Sequence, residues 1–520
     1  MGSAADSYES YWMATAPGPE YPRLTESLEV DAVVVGGGVA GLCTAGELAR
    51  AGCRVALVEA DRIASGVTGH TTAKLSALHG LRYARLAREQ GTDRARWYAQ
   101  SQQEAVEHVV RTAAELGVDC QLERVPGYVY TETEDALEDV RAEARAAADA
   151  GLAAVFTEET GLPFRVAGAV RVADQAQFHP RRYLLALAED LVARGGLVFE
   201  HTRATGLTEG RPCRVTTEGG AVVSAAEVVV ATHYPVFDRA LLFARLRPVR
   251  ELVVAGAVPE DADPQGMYVT PEHRTRSVRT APYGDGRRLL IVTGEKFTPG
   301  SSGVRRRHDR LADWACERFP SLRPGYRWAA QDNSTTDGVP YVGRFHVGTQ
   351  HVHVAAGFDG WGMSGGVMAG RLLAGVIIGD EPRWAPLYDP RRLRPLREAP
   401  ALVKFQAEVA RHLVGDWIGV PSMPDDQDLG AGEGAVVRFH GRRVAVCRDR
   451  EGRLHTVGAR CTHLGCTVHF NEAEQSWDCP CHGSRFALDG TVVQGPATRP
   501  LEPLDTDPPG PAPGRQDDAR

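Results

Sequence analysis

The stretch VDAVVVGGGVAG, residues 30–41, predicts the fold of most of the chain. An apolar run of strand length leads directly into glycines spaced G-x-G-x-x-G, and a helical pattern follows over residues 42–50. A second apolar run, residues 54–58, ends on Glu59, eighteen residues beyond Gly41. Strand, glycine turn, helix, strand and acid together are the context of a dinucleotide-binding unit. The alternative is a glycine-rich turn that binds no ligand.

The residue types of this unit suit a nucleotide. Glycines let the backbone approach a pyrophosphate at a helix N-terminus, where N–H groups and the helix dipole favour negative charge. A carboxylate at Glu59 can bind ribose hydroxyls. The predicted cofactor contacts in this unit are Gly36, Gly38, Val39, Ala40, Gly41, Glu59 and Ala60.

Further segments along the chain indicate which nucleotide is bound. They are ASGVTGHTTA (64–73), FHP (178–180), EVVVATH (227–233), DGVPYVG (337–343) and HVHVAAGFDGWGMSG (351–365). Their order resembles that found in the D-amino-acid-oxidase-like flavoprotein superfamily. Within it, the chain resembles the type represented by glycine and sarcosine oxidases and dimethylglycine dehydrogenase. The resemblance spans residues 31–387 and implies FAD as the cofactor. The further FAD contacts that it implies are Thr68, His70, Thr71, Thr72, Ala231, Thr232, Gly357, Gly360, Trp361, Gly362, Met363 and Ser364.

For residues 30–387 the resemblance implies an α/β Rossmann-type FAD-binding domain with an inserted antiparallel-sheet substrate domain. The FAD-binding segments would be about 30–80, 200–248 and 325–387, and the substrate-domain segments about 81–199 and 249–324. A second Rossmann unit is missing from the sequence, because the glycine-rich turn near Gly357 is not followed by another strand and acid. This absence argues against a reductase that uses NAD(P)H.

Two loops near the C-terminal end carry cysteine and histidine, CTHLGC (461–466) and CPCHGS (479–484). Each loop offers a thiolate and an imidazole, so these four side chains can converge on one metal centre. The four are Cys461, His463, Cys479 and His482. Structural zinc usually takes cysteines at C-x2-4-C and histidines at H-x3-5-H, which this spacing does not match. A zinc knuckle or a pair of loops joined only by a disulfide is the alternative.

With Pro480 and the later GPA turn, residues 495–497, the two loops closely resemble the Rieske family. In that family two histidines hold one iron of a [2Fe-2S] cluster and two cysteines hold the other. The resemblance also implies a disulfide between Cys466 and Cys481. This extra pair and Ser484 are more similar to the electron-transfer Rieske proteins of quinol oxidation than to ring-hydroxylating oxygenases. A hydroxyl at Ser484 can donate a hydrogen bond to a cluster sulfur and raise the reduction potential of the cluster.

The remaining segments complete the predicted organisation. Residues 1–29 are a polar lead, and residues 388–420 form a linker with a bridging helix. A small all-β Rieske domain is predicted for residues 421–504, because short alternating strands surround the two loops. Residues 505–520, rich in proline and aspartate, are predicted to be disordered.

Composition limits the classes of partner. The 520 residues are 43% hydrophobic, with a formal charge of −8 and no long basic run, so nothing points to nucleic acid. No apolar stretch is long enough for a transmembrane segment, and the first thirty residues do not resemble a secretory signal. We therefore expect a cytoplasmic protein. A homo-oligomer is compatible with the sequence.

The flavoprotein resemblance implies oxidation of the carbon next to an amine nitrogen, followed by hydrolysis of the imine. The candidate catalytic residues are His70, Tyr128, Tyr130, Tyr283, Lys296 and Trp361. In dimethylglycine and sarcosine dehydrogenases a histidine in a similar Thr-x-His position is bonded covalently to the flavin. The segment Thr68-Gly69-His70 is similar to that pattern, although a histidine there can also only hydrogen-bond to the cofactor.

Electron counting connects the two cofactors. Reduced FAD holds two electrons and the cluster accepts one, so the pair predicts a dehydrogenase with an external one-electron acceptor, such as a ferredoxin, a cytochrome or a quinone-linked carrier. One alternative is an amine oxidase that uses oxygen and keeps the Rieske domain as a sensor or cap. Another is a Rieske-type oxygenase component, for which no second iron site is visible. No motif places an arginine for a carboxylate, so amino acids, N-methylated amines and polyamines all remain as substrates.

Overall fold

The computed structural model describes residues 8–504 apart from 238, 240–241, 272–273, 393–394, 416–428 and 440. The first residues of the predicted Rieske domain, 421–428, and the predicted disordered tail, 505–520, lie outside the described residues. The helices of the described part are α1 (Tyr11–Thr15), α2 (Val39–Arg50), α3 (Arg82–Gln90), α4 (Thr92–Glu115), α5 (Leu137–Asp149), α6 (Pro180–Ala193), α7 (Leu242–Arg245), α8 (Val304–Arg318), α9 (Gly362–Ile378) and α10 (Pro395–Gly415). None of them is both long and apolar enough to cross a membrane.

The strands fall into two large sheets and two small ones. Those of the large sheets are β1 (Leu28–Val35), β2 (Val55–Val58), β3 (Lys74–Leu75), β4 (Glu123–Thr131), β5 (Ala154–Thr157), β6 (Gly168–Gln177), β7 (Leu197–Phe199), β8 (Ala204–Thr208), β9 (Cys213–Thr217), β10 (Val222–Val230), β11 (Leu246–Pro259), β12 (Met267–Val269), β13 (Arg276–Gly284), β14 (Arg287–Phe297), β15 (Arg323–Thr335), β16 (Tyr341–Arg344) and β17 (Val352–Ala356). Those of the small sheets are β18 (Gly434–Phe439), β19 (Arg442–Arg448), β20 (Leu454–Gly458), β21 (His469–Asn471), β22 (Ser476–Asp478), β23 (Arg485–Phe486) and β24 (Val492–Gln494).

The first large sheet carries the predicted dinucleotide-binding unit. Its strand order is β16-β17-β10-β1-β2-β7, with β9 added to β10 and β8 added to β9. Strand β1 pairs in parallel with β2 and β10, and β10 pairs in parallel with β17. Their valine-rich runs are buried because helices cover the sheet, as is typical of parallel sheets. Helix α2 begins at Val39, inside the glycine turn, three residues before the predicted start.

The second large sheet is mostly antiparallel and forms the insert. Its order is β15-β11-β14-β13-β12-β4-β6-β3, with β5 on β6. Strand β11 lies between β14 and β15 and pairs with both over almost its whole length. The C-terminal part consists of the sheets β18-β19-β20 and β21-β22-β23-β24, whose shared core includes Trp477, Phe486 and Val468. The predicted fold class is therefore confirmed.

Two segments that the sequence suggested as lead and linker are packed into the molecule. In the lead, the Trp12 side chain is fully buried and its Nε1 donates to the Thr71 carbonyl oxygen at 2.6 Å. In the linker, Tyr388 is fully buried, and Arg392 donates from Nε to Asp337 at 2.7 Å. Large apolar surfaces at Trp12 and Tyr388 explain this burial, because leaving them in water would cost free energy.

Candidate active site and cluster site

The glycine turn after β1 is shaped by close backbone contacts. Gly36 has φ of 109°, and a Cβ there would lie 2.5 Å from the Ala231 carbonyl oxygen. A Cβ on Gly41 would lie 1.8 Å from the Gly36 carbonyl oxygen, so only glycine fits between the turn and α2. The Gly37 N–H donates to Glu59 Oε2 at 2.7 Å, which ties the predicted ribose-binding acid to the turn itself.

This turn opens into a cavity of about 650 Å³, a volume within the range of cofactor sites. Many of the predicted contacts line it, and Lys296 lines it as well. The predicted FAD contacts on its wall are Gly36, Gly38, Val39, Ala40, Glu59, Ala60, Thr68, Thr71, Thr72, Ala231, Thr232, Gly360, Gly362 and Met363. Segments far apart in the sequence therefore meet at one cavity. The N-terminus of α2 lies at this wall, and a helix N-terminus suits the pyrophosphate of a dinucleotide.

Other predicted residues do not reach this wall. They are Gly41, His70, Tyr128, Tyr130, Tyr283, Gly357, Trp361 and Ser364. Trp361 stacks on His79 with ring centroids 4.3 Å apart, and Ser364 Oγ lies 3.1 Å from His79 Nε2. Tyr283 packs against Tyr11 at 5.9 Å. Tyr128 stacks on Tyr268 at 4.6 Å. These side chains pack on other aromatic rings and lie outside the cavity wall, and the catalytic roles of Tyr283 and Trp361 stay predictions.

His70 also lies outside the cavity wall. Its Nδ1 lies 2.8 Å from the Gly66 carbonyl oxygen, which can only accept, so Nδ1 is the donor. Burial lowers the pKa of His70, which keeps the ring neutral. The ring is held against its own one-turn helix, Val67–His70, and a direct flavin contact of His70 stays a prediction.

Several residues at the far end of the cavity were missed by sequence reasoning. They lie on the antiparallel sheet and are Arg247, Glu251, Thr293, Gln331 and Asp332. No motif marks them. Alternation along β11 could have placed Arg247 and Glu251 on one face of the sheet, but not against the dinucleotide turn.

The two C-terminal loops come together as the metal-centre prediction requires. The rings of His463 and His482 have centroids 5.0 Å apart, and the Cys461 and Cys479 thiols hydrogen-bond to each other. That hydrogen bond lowers the pKa of the Cys461 thiol and raises the pKa of Cys479, because the Cys479 thiol donates to the Cys461 sulfur. Cys466 and Cys481 form a disulfide between the loops. Cys466, Cys479 and Cys481 sulfurs lie within 4.8 Å of one another, but only Cys479 of these is free to bind a metal.

The donor set fits a Rieske cluster. Cys461, Cys479 and His482 are each about 2% exposed, and His482 Nε2 has no hydrogen-bond partner among the described residues. Burial lowers the pKa of His482 to about 3, so the ring is a neutral ligand. A buried imidazole nitrogen without a partner is costly unless a ligand such as iron is bound. The Ser484 hydroxyl hydrogen-bonds to Cys461, in the position predicted for tuning a cluster sulfur.

The imidazole side of this site packs on the segment that follows β10, on α7 and on β15. The His482 ring lies 6.0 Å from Tyr234 and 5.8 Å from Phe243, measured between centroids. Gln331 of β15 donates from Nε2 to the Gly483 carbonyl oxygen at 2.9 Å. The cluster loop therefore contacts the same strand that lines the cavity.

A buried charge network holds the same interface. Arg250 of β11 is fully buried and pairs with Glu474 at 2.6 Å and Asp478 at 3.3 Å. Arg485 completes the network through Asp478 at 3.0 Å and Glu474 at 3.1 Å. Two arginines balance two carboxylates, and each carboxylate has a depressed pKa. Asp478 directly precedes Cys479, so the network also fixes a cluster loop.

Comparison with known proteins agrees with this geometry. Residues 31–376 match the FAD dependent oxidoreductase family (DAO), and residues 421–505 match the Rieske [2Fe-2S] domain. The chain belongs to the FAD dependent oxidoreductase family. It carries a Rieske domain at its C-terminal end, so FAD and a [2Fe-2S] cluster are its cofactors.

Individual relatives of this FAD dependent oxidoreductase cover either the whole chain or one part. YhfW of Bacillus subtilis (strain 168), whose name describes a Rieske 2Fe-2S iron-sulfur protein, is 33% identical over 97% of this chain and 99% of its own length. The cytochrome b6-f complex iron-sulfur subunit of Chlorobaculum tepidum is 41% identical over 75 residues, 14% of this chain and 41% of its own. Glycine oxidase from Geobacillus kaustophilus has the same fold with a TM-score of 0.58 and 22% identity, covering 70% of this chain and all of that one.

Proposed function

We propose that this chain is a dehydrogenase that oxidises a C–N bond of an amine or amino acid and passes the electrons singly to an external acceptor. The glycine oxidase of similar fold acts on an amino acid, and the b6-f subunit belongs to an electron-transfer complex. These likenesses support the two halves of the proposal. The external acceptor would be a one-electron carrier such as a ferredoxin, a cytochrome or a quinone-linked protein.

The observation that carries the proposal is the arrangement of β11 and β15. Glu251 of β11 lines the cavity, whereas its neighbour in sequence, Arg250, pairs with Glu474 and Asp478 of the Rieske domain. Gln331 of β15 lines the cavity and also donates to the Gly483 carbonyl oxygen of the cluster loop. Because successive side chains of a strand point to opposite faces, one layer of sheet separates the cavity from the cluster loop. Electron tunnelling falls steeply with distance, so a single layer favours direct transfer.

The cofactor contacts follow from the same geometry. The turn at Gly36–Gly41 would hold the pyrophosphate, and Cys461, His463, Cys479 and His482 would hold the irons. When bound, FAD takes two electrons from the substrate carbon, leaving an imine that water hydrolyses, and the cluster carries one electron at a time. The chain's own part is to orient the substrate, exclude water and keep His482 neutral.

The test is anaerobic titration of the holoprotein with a panel of amines and amino acids, monitored by flavin absorbance and by the EPR signal of the reduced cluster. A reactive substrate should bleach the flavin and generate the EPR signal in the same sample. The variant Cys479→Ser should lose the EPR signal and keep the bleaching, because it removes only a cluster ligand.

Turnover with air separates the proposal from its main alternative. A dehydrogenase should turn over rapidly with an artificial one-electron dye and slowly with oxygen. Stoichiometric peroxide at full rate in both wild type and Cys479→Ser would instead identify an oxidase with a Rieske cap and would refute the relay.

A further inference from the structure

The sheet end of the cavity carries two opposite charges on neighbouring strands. Glu251 lies on β11 and Lys296 lies on β14, and both line the cavity. The pairing of these strands shifts here, since Arg250 is opposite Phe297 while Leu252 is opposite Gly294. Two residues of β14 therefore lie opposite the single residue Glu251, and this arrangement is a β-bulge. Bulges often change the direction of side chains at functional sites.

The bulge is built to present Lys296. Glu295 adopts φ of 55°, a left-handed conformation that is unusual for glutamate. Its carboxylate is held by Arg276 at 2.7 Å and Arg310 at 2.6 Å. These two ion pairs stabilise the strained residue, and the next side chain, Lys296, is left at the cavity wall.

Most other charges near this end are already neutralised. Arg247 pairs with Glu408 at 2.8 Å, and Asp359 pairs with Arg82 at 3.0 Å. Asp332 lies 3.4 Å from His233 Nε2 and accepts a short hydrogen bond from the Gly360 N–H. Lys404 of α10 also lines the cavity and, like Lys296, is exposed.

The charges of Glu251 and Lys296 are not neutralised by such ion pairs. Among the described residues neither forms an ion pair within 4.0 Å, and Glu251 Oε1 is buried without a hydrogen-bond partner. Thr293 Oγ1, on the same wall, is also buried without a partner. Glu251 is half-buried, and a carboxylate oxygen that is buried without a partner is costly, so a ligand of complementary charge is expected to complete it. The Glu251 charge raises the pKa of Lys296, so the lysine remains a cation.

We propose that Glu251 and Lys296 bind a zwitterionic amino acid, with the substrate ammonium at Glu251 and the substrate carboxylate at Lys296. This inference rests on the proposed function and specifies its substrate class. A simple amine would leave Lys296 unmatched, and a diamine would be repelled by it. A carboxylate can therefore be recognised in this cavity without an arginine.

The experiment compares matched ligands on the holoenzyme. Both enantiomers of the protein amino acids and their N-methyl derivatives are tested beside the amines formed by removing the carboxylate, such as L-proline beside pyrrolidine. Amino acids should reduce the flavin, and their decarboxylated counterparts should do so with at least about 10-fold higher KM, because a charged hydrogen bond is missing.

Reduction by the amines alone would overturn this inference and leave the proposed function standing. If no compound of either series reduced the flavin, both would fail.

Two variants assign the charges separately. Lys296→Met should raise KM for amino acids by about 10- to 100-fold and leave KM for the amines unchanged, whereas Glu251→Gln should raise both. Lys296→Arg should restore amino-acid binding, and Lys404→Met is the control for loss of an exposed lysine. Perturbation of the oxidised flavin spectrum by an unreactive enantiomer gives Kd independently of turnover. If Lys296→Met changed neither ligand series, or Lys404→Met reproduced the effect, the assignment would be wrong.

Discussion

At the scale of single residues, Gly41 makes the sharpest prediction. Replacing Gly41 by alanine puts a Cβ 1.8 Å from a backbone oxygen that cannot move without opening the turn. Gly41→Ala should therefore purify with little or no flavin, measured as flavin absorbance per protein. Gly46→Ala is the matched control in the same helix, because its Cβ would meet only a flexible Leu187 carbon at 3.3 Å. Full flavin content in Gly41→Ala would contradict the assignment of this turn.

Asp337 gives a prediction of pH dependence. Its buried pairing with Arg392 lowers the pKa of Asp337 from 3.8 to about 2, although burial by itself would raise it. A depressed carboxyl pKa adds stability that is present above about pH 4 and lost as pH falls toward 2, amounting to about 2 kcal/mol. The gap in Tm between wild type and Asp337→Asn should therefore be constant from pH 5 to 7 and narrow below pH 4.

The control for Asp337 is its neighbour Asp389, which pairs with Arg391 at a more exposed site. Asp389→Asn should lower Tm much less, because exposed ion pairs contribute only about 0–1 kcal/mol. If the difference in Tm between wild type and Asp337→Asn widened on acidification, the depressed pKa of Asp337 would not be the source of this stability.

At the scale of elements, Arg250 joins β11 to the Rieske loops through the buried charge network. Arg250→Met leaves the buried carboxylates Glu474 and Asp478 with one cation, Arg485, in place of two, so the free energy of unfolding should fall by about 3–5 kcal/mol. Arg247→Met breaks a partly exposed pair on the same strand and should cost about 0–1 kcal/mol. Thermal unfolding of both variants, monitored by flavin fluorescence and by cluster absorbance, tests this. If both variants lost the same free energy of unfolding, burial of the charge network would contribute nothing to stability.

At the scale of the whole molecule, the packed interface predicts transfer within one chain. After rapid anaerobic mixing with substrate, the rate of cluster reduction should not change when the protein is diluted tenfold. The reason is that the cluster loop contacts Gln331 on the cavity wall of the same molecule. A rate proportional to protein concentration would show that electrons pass between molecules. Stopped-flow absorbance in the cluster band is the measurement.

The sequence by itself determined the local sites. The glycine turn at residues 36–41, the two cluster loops and the Cys466–Cys481 pair each depend on residue types at short, definite spacings. A phosphate or an iron needs only a few donors at such offsets, so these features can be predicted without knowing the rest of the chain. The same reasoning could not show that His70 and Trp361 lie outside the cavity wall, because proximity to a motif does not decide which way a side chain packs.

Only the tertiary structure decided how the two cofactor sites meet. Arg250 and Asp478 are 228 positions apart, and no spacing rule joins them. Glu251 and Lys296 lie beside the same cavity, each without an ion pair among the described residues, only because their strands pair there through a bulge. Such contacts depend on the summed packing and electrostatics of the whole chain, to which each residue adds little, and a linear sequence does not display them.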